Sequence, residues 1–330
     1  MVKTELYPLR FVEIYKPYIW GGQNLRKLGK PIKEGEIVAE SWEISDHNED
    51  ISIVENGPLA GKSLRELIKT YGEDISPKTE NGRFPILIKY IDANKRLSVQ
   101  VHPDDEYAKT HENPKELGKT ECWYVMDAPS NAELIMGIKK GVDKDSFIKM
   151  IRENRIEDGL NRIKVQKGDF IYIKTGTVHA LLEGIMVCEI QENSDTTYRL
   201  YDWGRVGNDG KPRPLHINKA LDVIYFPPEK IYNEYIKDLL INYDKNLDNA
   251  AQKLVRSKYF NIDFLKFTKA FNQEMEDYHF HTLNIIEGEG ILKYKNGFER
   301  IKIGDTILVP RSVNSYEIET KGITILKTFL

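Results

Sequence analysis

Residues 167–181 read KGDFIYIKTGTVHAL, and residues 303–317, which read IGDTILVPRSVNSYE, align with them without a gap. The Gly-Asp pair at 168–169 falls on the Gly-Asp pair at 304–305. Each copy consists of a Gly-Asp turn, an apolar run, a second turn and another run, a pattern that predicts a β-hairpin unit used twice. The chain is therefore predicted to contain two related β-domains.

The rest of the chain also predicts a mainly β protein. Short runs rich in Val, Ile and Tyr, bounded by turn residues, indicate an antiparallel sandwich or barrel, as in FPILIKYID, ECWYVMD and GIMVCEIQEN. Apolar residues at three- and four-residue steps predict a few added α-helices in SLRELIKTYG, DKDSFIKMIREN and HINKALDVIYF. The paired prolines of FPPEKIYN at 226–233 mark the predicted boundary, which gives domains 1–228 and 229–330.

Composition narrows the possible partners and compartment. The 330 residues carry a net charge of −3, with both signs interspersed and neither a polybasic arm nor an acidic tail, so no nucleic-acid partner is predicted. No apolar run approaches the roughly 20 residues that span a membrane, so no membrane partner is predicted either. Two cysteines, Cys122 and Cys188, fit a reducing compartment, and we expect a cytoplasmic protein.

One predicted strand has a polar and an apolar face. In RLSVQVHPDD, the strand period of two places Ser98, Gln100 and His102 together, while the alternate residues from Leu97 to Val101 form the opposite, apolar face. Polar groups inside a barrel are costly unless they are hydrogen-bonded or bind something. The pattern therefore predicts a lined cavity.

Two further segments add potential metal ligands. In GKTECWYVMD the same period places Lys119, Glu121 and Trp123 on one face, and His179 follows a Gly-containing turn downstream. Two imidazoles, a carboxylate and an amide oxygen suit zinc, and manganese, iron, cobalt or nickel are also compatible. The candidate ligands are Gln100, His102, Glu121 and His179.

The second domain carries only part of such a set. His279 and His281 form an HxH pair comparable to Gln100 and His102, but the alignment places Ser315 where His179 stands. We therefore expect a metal-free structural domain that lacks a complete metal site.

Six ordered blocks then carry a family resemblance: YIWGG (18–22), AESWEIS (39–45), FPILIKYIDA (84–93), LSVQVHPDDEYA (97–108), GKTECWYV (118–125) and NSDTTYRLYDWGR (193–205). In these blocks the sequence resembles the type I mannose-6-phosphate isomerases, in particular the shorter bacterial branch of that cupin family. The resemblance implies two cupin-like β-barrel (jelly-roll) domains and one zinc ion per chain on the four candidate ligands. It also implies that Lys119 and Arg199 lie around the substrate and that Ser98 lies near its phosphate.

The implied reaction interconverts mannose 6-phosphate and fructose 6-phosphate, so it must move a proton between C1 and C2 through an enediol. We expect Glu189 to be the base, because the family has an acid ten residues before its arginine, here Arg199. The alternative is a structural role, in which Glu189 forms an ion pair with Arg199 or Lys119. The cations Lys119 and Arg199 are expected to act in catalysis and to bind the hexose phosphate.

Two other functional classes fit parts of the pattern. One is a different cupin enzyme, either an isomerase for another sugar phosphate or a metal oxygenase, although an oxygenase does not need the two cations Lys119 and Arg199. The other is a non-catalytic sugar-phosphate-binding cupin. The intact ligand set together with an acid and two cations favours the isomerase.

Overall fold

The computed structural model describes residues 3–207, 210–276 and 279–330, and the chain is mainly β, as predicted. The strands of the first part are β1 (Ile14–Lys16), β2 (Glu40–Ile44), β3 (Asp46–His47), β4 (Asp50–Ile51), β5 (Ile86–Ala93), β6 (Val99–Val101), β7 (Glu121–Asp127), β8 (Glu133–Ile138), β9 (Leu160–Lys164), β10 (Phe170–Ile173), β11 (His179–Ala180), β12 (Ile185–Glu192), β13 (Tyr198–Tyr201) and β14 (Leu240–Ile241). Those of the second part are β15 (Ala250–Arg256), β16 (Asn261–Phe267), β17 (Phe271–Glu274), β18 (Phe280–Tyr294), β19 (Gly297–Lys302), β20 (Thr306–Pro310) and β21 (Ser315–Phe329).

The helices are additions to this scaffold: α1 (Leu64–Tyr71), α2 (Asp105–His111), α3 (Lys144–Arg152), α4 (Ile217–Val223) and α5 (Tyr232–Leu239). The three predicted helices correspond to α1, α3 and α4. Helix α1 begins at a capping box, in which Ser63 and Glu66 each accept the other's backbone N–H. Helix α2 was not predicted because its one fully buried residue, Ala108, gives no apolar periodicity. None of the helices in the described ranges is long and apolar enough to cross a membrane.

The first domain consists of two antiparallel sheets that face each other. The larger has the strand order β1-β2-β5-β12-β7-β10-β14 and the smaller has the order β13-β6-β11-β8-β9. The apolar core between them includes Trp123, Val125, Leu134 and Met136, each at most 1% exposed. Polar side chains on the two inner faces therefore meet inside one barrel, as the cupin resemblance implies.

The second domain is a smaller barrel that packs against the back of the larger sheet. Its strand order is β15-β16-β21-β18-β19, with β17 on β21 and β20 on β18. Tyr124 of the first domain and Phe260 of the second belong to one continuous core, and the rings of Phe84 and Phe280 lie 4.8 Å apart between centroids. The sheet that carries much of the functional site is thus supported from behind by the second domain.

Helix α5 and strand β14 follow the predicted boundary but pack with the first domain. Strand β14 pairs with β10 at the edge of the larger sheet, and α5 contacts the same strand. The division into 1–228 and 229–330 stays a prediction, and these contacts favour a later boundary between Ile241 and Ala250.

The first turn of the repeat has the same backbone geometry in both copies. Gly168 and Gly304 adopt φ angles of 85° and 88°, which favour glycine. Their N–H groups donate to the carbonyls of Val125 and Ile285 at 2.8 and 2.9 Å. The two Gly-Asp turns are therefore equivalent positions in two related barrels.

Beyond the second turn, the alignment without a gap is wrong. It places Ser315 on His179, but Ser315 is exposed, whereas the next residue, Tyr316, points into the barrel and hydrogen-bonds Nδ1 of His281 at 3.0 Å. One extra residue in the loop before β21 explains the shift, because a one-residue slip exchanges the two faces of a strand.

The comparison of the HxH pair with Gln100 and His102 is also wrong. His281 pairs with Val309, the equivalent of Ile173, and Ile173 pairs with Glu121. His281 therefore occupies the position of Glu121.

Both barrels place a buried ion pair on the same pair of strands. In the first barrel Lys89 on β5 is opposite Glu189 on β12, with 3.5 Å between Nζ and Oε1. In the second barrel Asp263 on β16 is opposite Lys327 on β21, with 3.4 Å between Oδ2 and Nζ. The equivalent positions thus carry the two charges in exchanged order.

Candidate active site and metal centre

A cavity of about 380 Å³ opens between the two sheets of the first domain. Five residues predicted from the sequence line it: Ser98, Gln100, Lys119, Glu189 and Arg199. They come from strands that are distant in sequence, and the strand pairing brings them together.

Next to this cavity, His102, Glu121 and His179 form a cluster with the geometry of a metal site. One ligand atom from each lies within 4.8 Å of the others, and all three side chains are at most 1% exposed. The Nε2 atoms of His102 and His179 lie 3.5 and 3.2 Å from the carboxylate oxygens of Glu121. The three atoms converge on one point in the barrel.

Backbone carbonyls fix the tautomer of both imidazoles. Nδ1 of His102 donates to the carbonyl of Thr196 at 2.9 Å, and Nδ1 of His179 donates to the carbonyl of Thr177 at 2.8 Å. Each Nε2 is then an acceptor directed at Glu121. Metal-ligating histidines usually donate their second ring N–H in this way.

Unsatisfied buried atoms support a metal at this point. Within the described residues, neither carboxylate oxygen of Glu121 has a hydrogen-bond partner, and the same holds for Nε2 of His102. Buried polar atoms without partners are costly. A divalent cation with nitrogen and oxygen ligands would satisfy all three atoms at once, so the residues present fit the metal that the family implies.

Gln100, the fourth predicted ligand, lies next to this cluster on the neighbouring strand. It lies directly opposite His179 in the pairing of β6 with β11, and its Nε2 is 3.3 Å from Nε2 of His179. A half-turn of the amide presents Oε1 at that place, and the two orientations are distinguished only by their hydrogen bonds.

Lys119 favours the ionised form of Glu121 and the neutral form of His102, the forms that bind a metal. Its Nζ lies 3.2 Å from Oε2 of Glu121. Burial alone would raise the pKa of Glu121, but the charge of Lys119 holds it well below its ordinary value. Burial and the charge of Lys119 lower the pKa of His102 to about 3, so this imidazole is neutral at physiological pH.

Glu189 lies on the same inner face and is held by an indole. Its Oε2 accepts a hydrogen bond from Nε1 of Trp123 at 2.7 Å, while Oε1 has an ion pair with Lys89 but no hydrogen bond from the described part of the chain. Burial and the charge of Glu121 raise its pKa. A carboxylate with one fixed and one available oxygen, and with a raised pKa, is suited to proton transfer.

Two charged residues that were not predicted, Lys89 and Glu40, line the same cavity. Nζ of Lys89 lies 3.6, 3.5 and 3.7 Å from carboxylate oxygens of Glu40, Glu189 and Asp195. Burial alone would lower the pKa of Lys89, but Glu40 and Glu189 raise it above its ordinary value, so the amine is charged. A lysine in the middle of the apolar run FPILIKYID was the signal that could have revealed this site.

Ser98 and Arg199 lie at the cavity as predicted, whereas Leu97 does not follow the strand period. The Ser98 hydroxyl donates to Oε1 of Gln100 at 3.4 Å, and Nη1 of Arg199 donates to the carbonyl of Pro214 at 3.0 Å. Leu97 was expected on the outer face but lines the cavity, because it precedes β6 and lies outside the regular strand.

Comparisons with known proteins identify the family to which the chain is similar. Residues 9–152 match the phosphomannose isomerase type I catalytic domain, and residues 250–328 match the mannose-6-phosphate isomerase cupin domain. The chain is 38% identical over 316 residues to mannose-6-phosphate isomerase ManA of Bacillus subtilis, covering 94% of this chain and 96% of that protein. It is 35% identical to mannose-6-phosphate isomerase of Streptococcus mutans, covering 91% and 92% of the two chains.

Solved structures show the same architecture. The crystal structure of mannose 6-phosphate isomerase from Bacillus subtilis superposes with a TM-score of 0.85 at 34% identity, covering 98% of this chain and all of that one. A mannose 6-phosphate isomerase bound with zinc and yttrium gives a TM-score of 0.73 at 16% identity, covering 98% and 99% of the chains, and shows the shared fold.

The chain belongs to the type I phosphomannose isomerases, a family of metal-dependent cupin enzymes. Its activity is the aldose–ketose isomerisation that interconverts mannose 6-phosphate and fructose 6-phosphate.

Proposed function

We propose that Gln100, His102, Glu121 and His179 bind one zinc ion and that Glu189, Lys119 and Arg199 act on a hexose phosphate beside it. The observation that carries this proposal is the buried cluster of two imidazoles and a carboxylate, in which neither oxygen of Glu121 nor Nε2 of His102 has a hydrogen-bond partner among the described residues. Nitrogen and oxygen ligands of this kind suit zinc, although another divalent metal also fits. When bound, a divalent ion supplies Lewis-acid polarisation of the sugar oxygens.

Glu189 is the group placed to move the proton. Its oxygen Oε1, which accepts no hydrogen bond from the described residues, takes the proton from C2 of mannose 6-phosphate and returns it to C1, while Trp123 keeps the other oxygen in place. The isomerisation is balanced when the proton of the C2 hydroxyl passes to the C1 oxygen. Lys89 stabilises the ionised form of Glu189. Lys119, whose Nζ lies at the ligand Glu121, is the nearest cation for the developing negative charge on the sugar oxygen.

Arg199 and Ser98 are proposed to bind the substrate. The planar guanidinium suits the oxygens of a phosphate, and the Ser98 hydroxyl on the adjacent strand adds a donor. The second domain is proposed to be structural, because no second cluster of metal-binding side chains occurs among the residues that the structure describes. A cytoplasmic location is supported by two buried cysteines that are not joined in a disulfide.

Chelation tests the zinc assignment directly. We expect turnover of mannose 6-phosphate to disappear when the metal is removed and to return when one equivalent of zinc per chain is restored. Metal content and turnover should be measured on the same samples, with circular dichroism to show that the fold persists. Full turnover in a protein shown to hold no metal would contradict the assignment.

Trp123→Phe tests how the base is positioned. The substitution keeps an aromatic ring in the barrel but removes the N–H that fixes Glu189, so we expect kcat to fall about 10-fold, with KM and metal content little changed. In a Glu189→Gln background the same change should cost no further activity, because the two residues act through one hydrogen bond. Wild-type turnover in the single variant would show that Trp123 only fills the core.

A further inference from the structure

A second arginine, Arg213, lines the catalytic cavity together with Arg199. It lies between β13 and α4, on a segment whose sequence shows no strand or helix periodicity. Its position raises the question of why two guanidinium groups share one small cavity.

Arg213 is held rigidly by a buried carboxylate. Its Nε and Nη2 donate to the two oxygens of Asp202 at 2.8 and 2.6 Å, a bidentate geometry. Asp202 is 6% exposed and also accepts from Nη2 of Arg205 at 2.5 Å. The guanidinium of Arg213 therefore has a fixed orientation before any substrate arrives.

Arg199 is fixed as well, but by neutral groups. Its backbone N–H donates to Nδ1 of His216 at 3.1 Å, and its Nη1 donates to the carbonyl of Pro214 at 3.0 Å. Its Nε is buried, and no acceptor for it exists in the described ranges. None of the ion pairs formed by the described residues includes Arg199.

The charges at this place do not balance. Arg205 and Arg213 share one carboxylate, Asp202, and Arg199 lies near Asp202 and Asp195, so the three arginines exceed these two carboxylates by one positive charge. Burial lowers the pKa of Arg199, and the nearby charge of Arg213 lowers it further, so the two guanidinium groups repel each other. A doubly charged anion between them would remove the repulsion and provide an acceptor for Nε of Arg199.

We infer that Arg213, positioned by Asp202, binds the phosphate group of the substrate together with Arg199 and thereby selects phosphorylated over neutral hexoses. This inference rests on the proposed function, because it assigns one part of the substrate to one part of the same cavity. Asp202 acts through Arg213 and is a positioning residue.

The experiment compares wild type, Arg213→Ala and Arg213→Lys, each loaded with metal. KM and kcat are measured with mannose 6-phosphate, and the dissociation constant of inorganic phosphate is measured by calorimetry in the absence of sugar. In Arg213→Ala we expect KM and the phosphate dissociation constant to rise about 10- to 100-fold, with kcat within about threefold. In Arg213→Lys both constants should lie between those of wild type and Arg213→Ala, because lysine keeps the charge but loses the bidentate geometry.

Arg96→Ala is the matched control, since it removes an arginine that pairs with Glu183 outside this cavity. It should change both constants less than twofold. Values within twofold of wild type in Arg213→Ala would overturn the inference, and so would a raised KM with unchanged phosphate binding. If Arg213→Ala does not fold, KM and the phosphate dissociation constant are compared between Arg213→Lys and wild type. A rise in both supports the inference, and values within twofold of wild type overturn it.

Phosphate binding also separates this inference from the proposed function. A wild-type protein that binds phosphate through Arg213 but retains full turnover without metal would refute the zinc-dependent mechanism and leave the phosphate site intact. A zinc-dependent enzyme whose phosphate dissociation constant is unchanged in Arg213→Ala would refute the phosphate site and leave the zinc-dependent mechanism intact.

Discussion

Glu189→Gln is expected to lower kcat about 1000-fold while metal content and KM stay close to wild type. Glutamine has the same shape and still accepts the hydrogen bond from Trp123, but it cannot take a proton from carbon. General base catalysis typically contributes 10²- to 10⁴-fold. The measurement is steady-state turnover together with deuterium uptake from solvent at C2, which should be lost in parallel.

Glu183→Gln is a suitable control for this variant, because Glu183 is an exposed acid that pairs with Arg96. It should retain wild-type kcat. If Glu189→Gln turned over within threefold of wild type with metal bound, Glu189 would only be the partner of Lys89, and the base would have to be another group at the cavity.

His179→Ala is expected to lose the metal and at least 1000-fold in turnover. His179 offers one of the three converging ligand atoms, and its Nδ1 bonds only to a carbonyl two residues away. Its removal breaks one contact between the sheets, with Glu121, but leaves the backbone pairing of β11 with β6 and β8 in place, so the protein should remain folded. Metal per chain, turnover and thermal unfolding should be measured on one preparation.

His111→Ala provides the comparison, because His111 is exposed and stacked on Tyr107 outside the cavity. It should keep both metal and turnover. Stoichiometric metal and undiminished activity in His179→Ala would refute the ligand set.

Strand periodicity predicted which faces carry the site. Ser98, Gln100 and Lys119 line the cavity, as the period of two predicts, whereas Cys122 and Tyr124 point into the opposite core. The prediction of the faces was successful because the alternation of side chains is a local property of a strand. It failed at Leu97 and at the gapless Ser315 alignment, where the chain leaves regular strand geometry or gains a residue.

The rest of the site depends on register and loops, which periodicity does not encode. The opposition of Gln100 and His179 is set by the pairing of β6 with β11. Arg213 and Asp202 lie in or beside an irregular segment, and their contact follows from the path of that segment. Lys89 could have been found, because a charged residue in an apolar strand needs a partner.

The ion pair that recurs in both barrels has different surroundings in each. Glu189 faces the substrate cavity, while its counterpart Lys327 is paired with Asp263 in the interior of the second barrel. Exchanging acid and amine across the two strands keeps the ion pair neutral, but it places an amine, Lys327, where the first barrel has the acid Glu189. The charge balance of a duplicated barrel can therefore be conserved while the chemistry available at one of its positions changes.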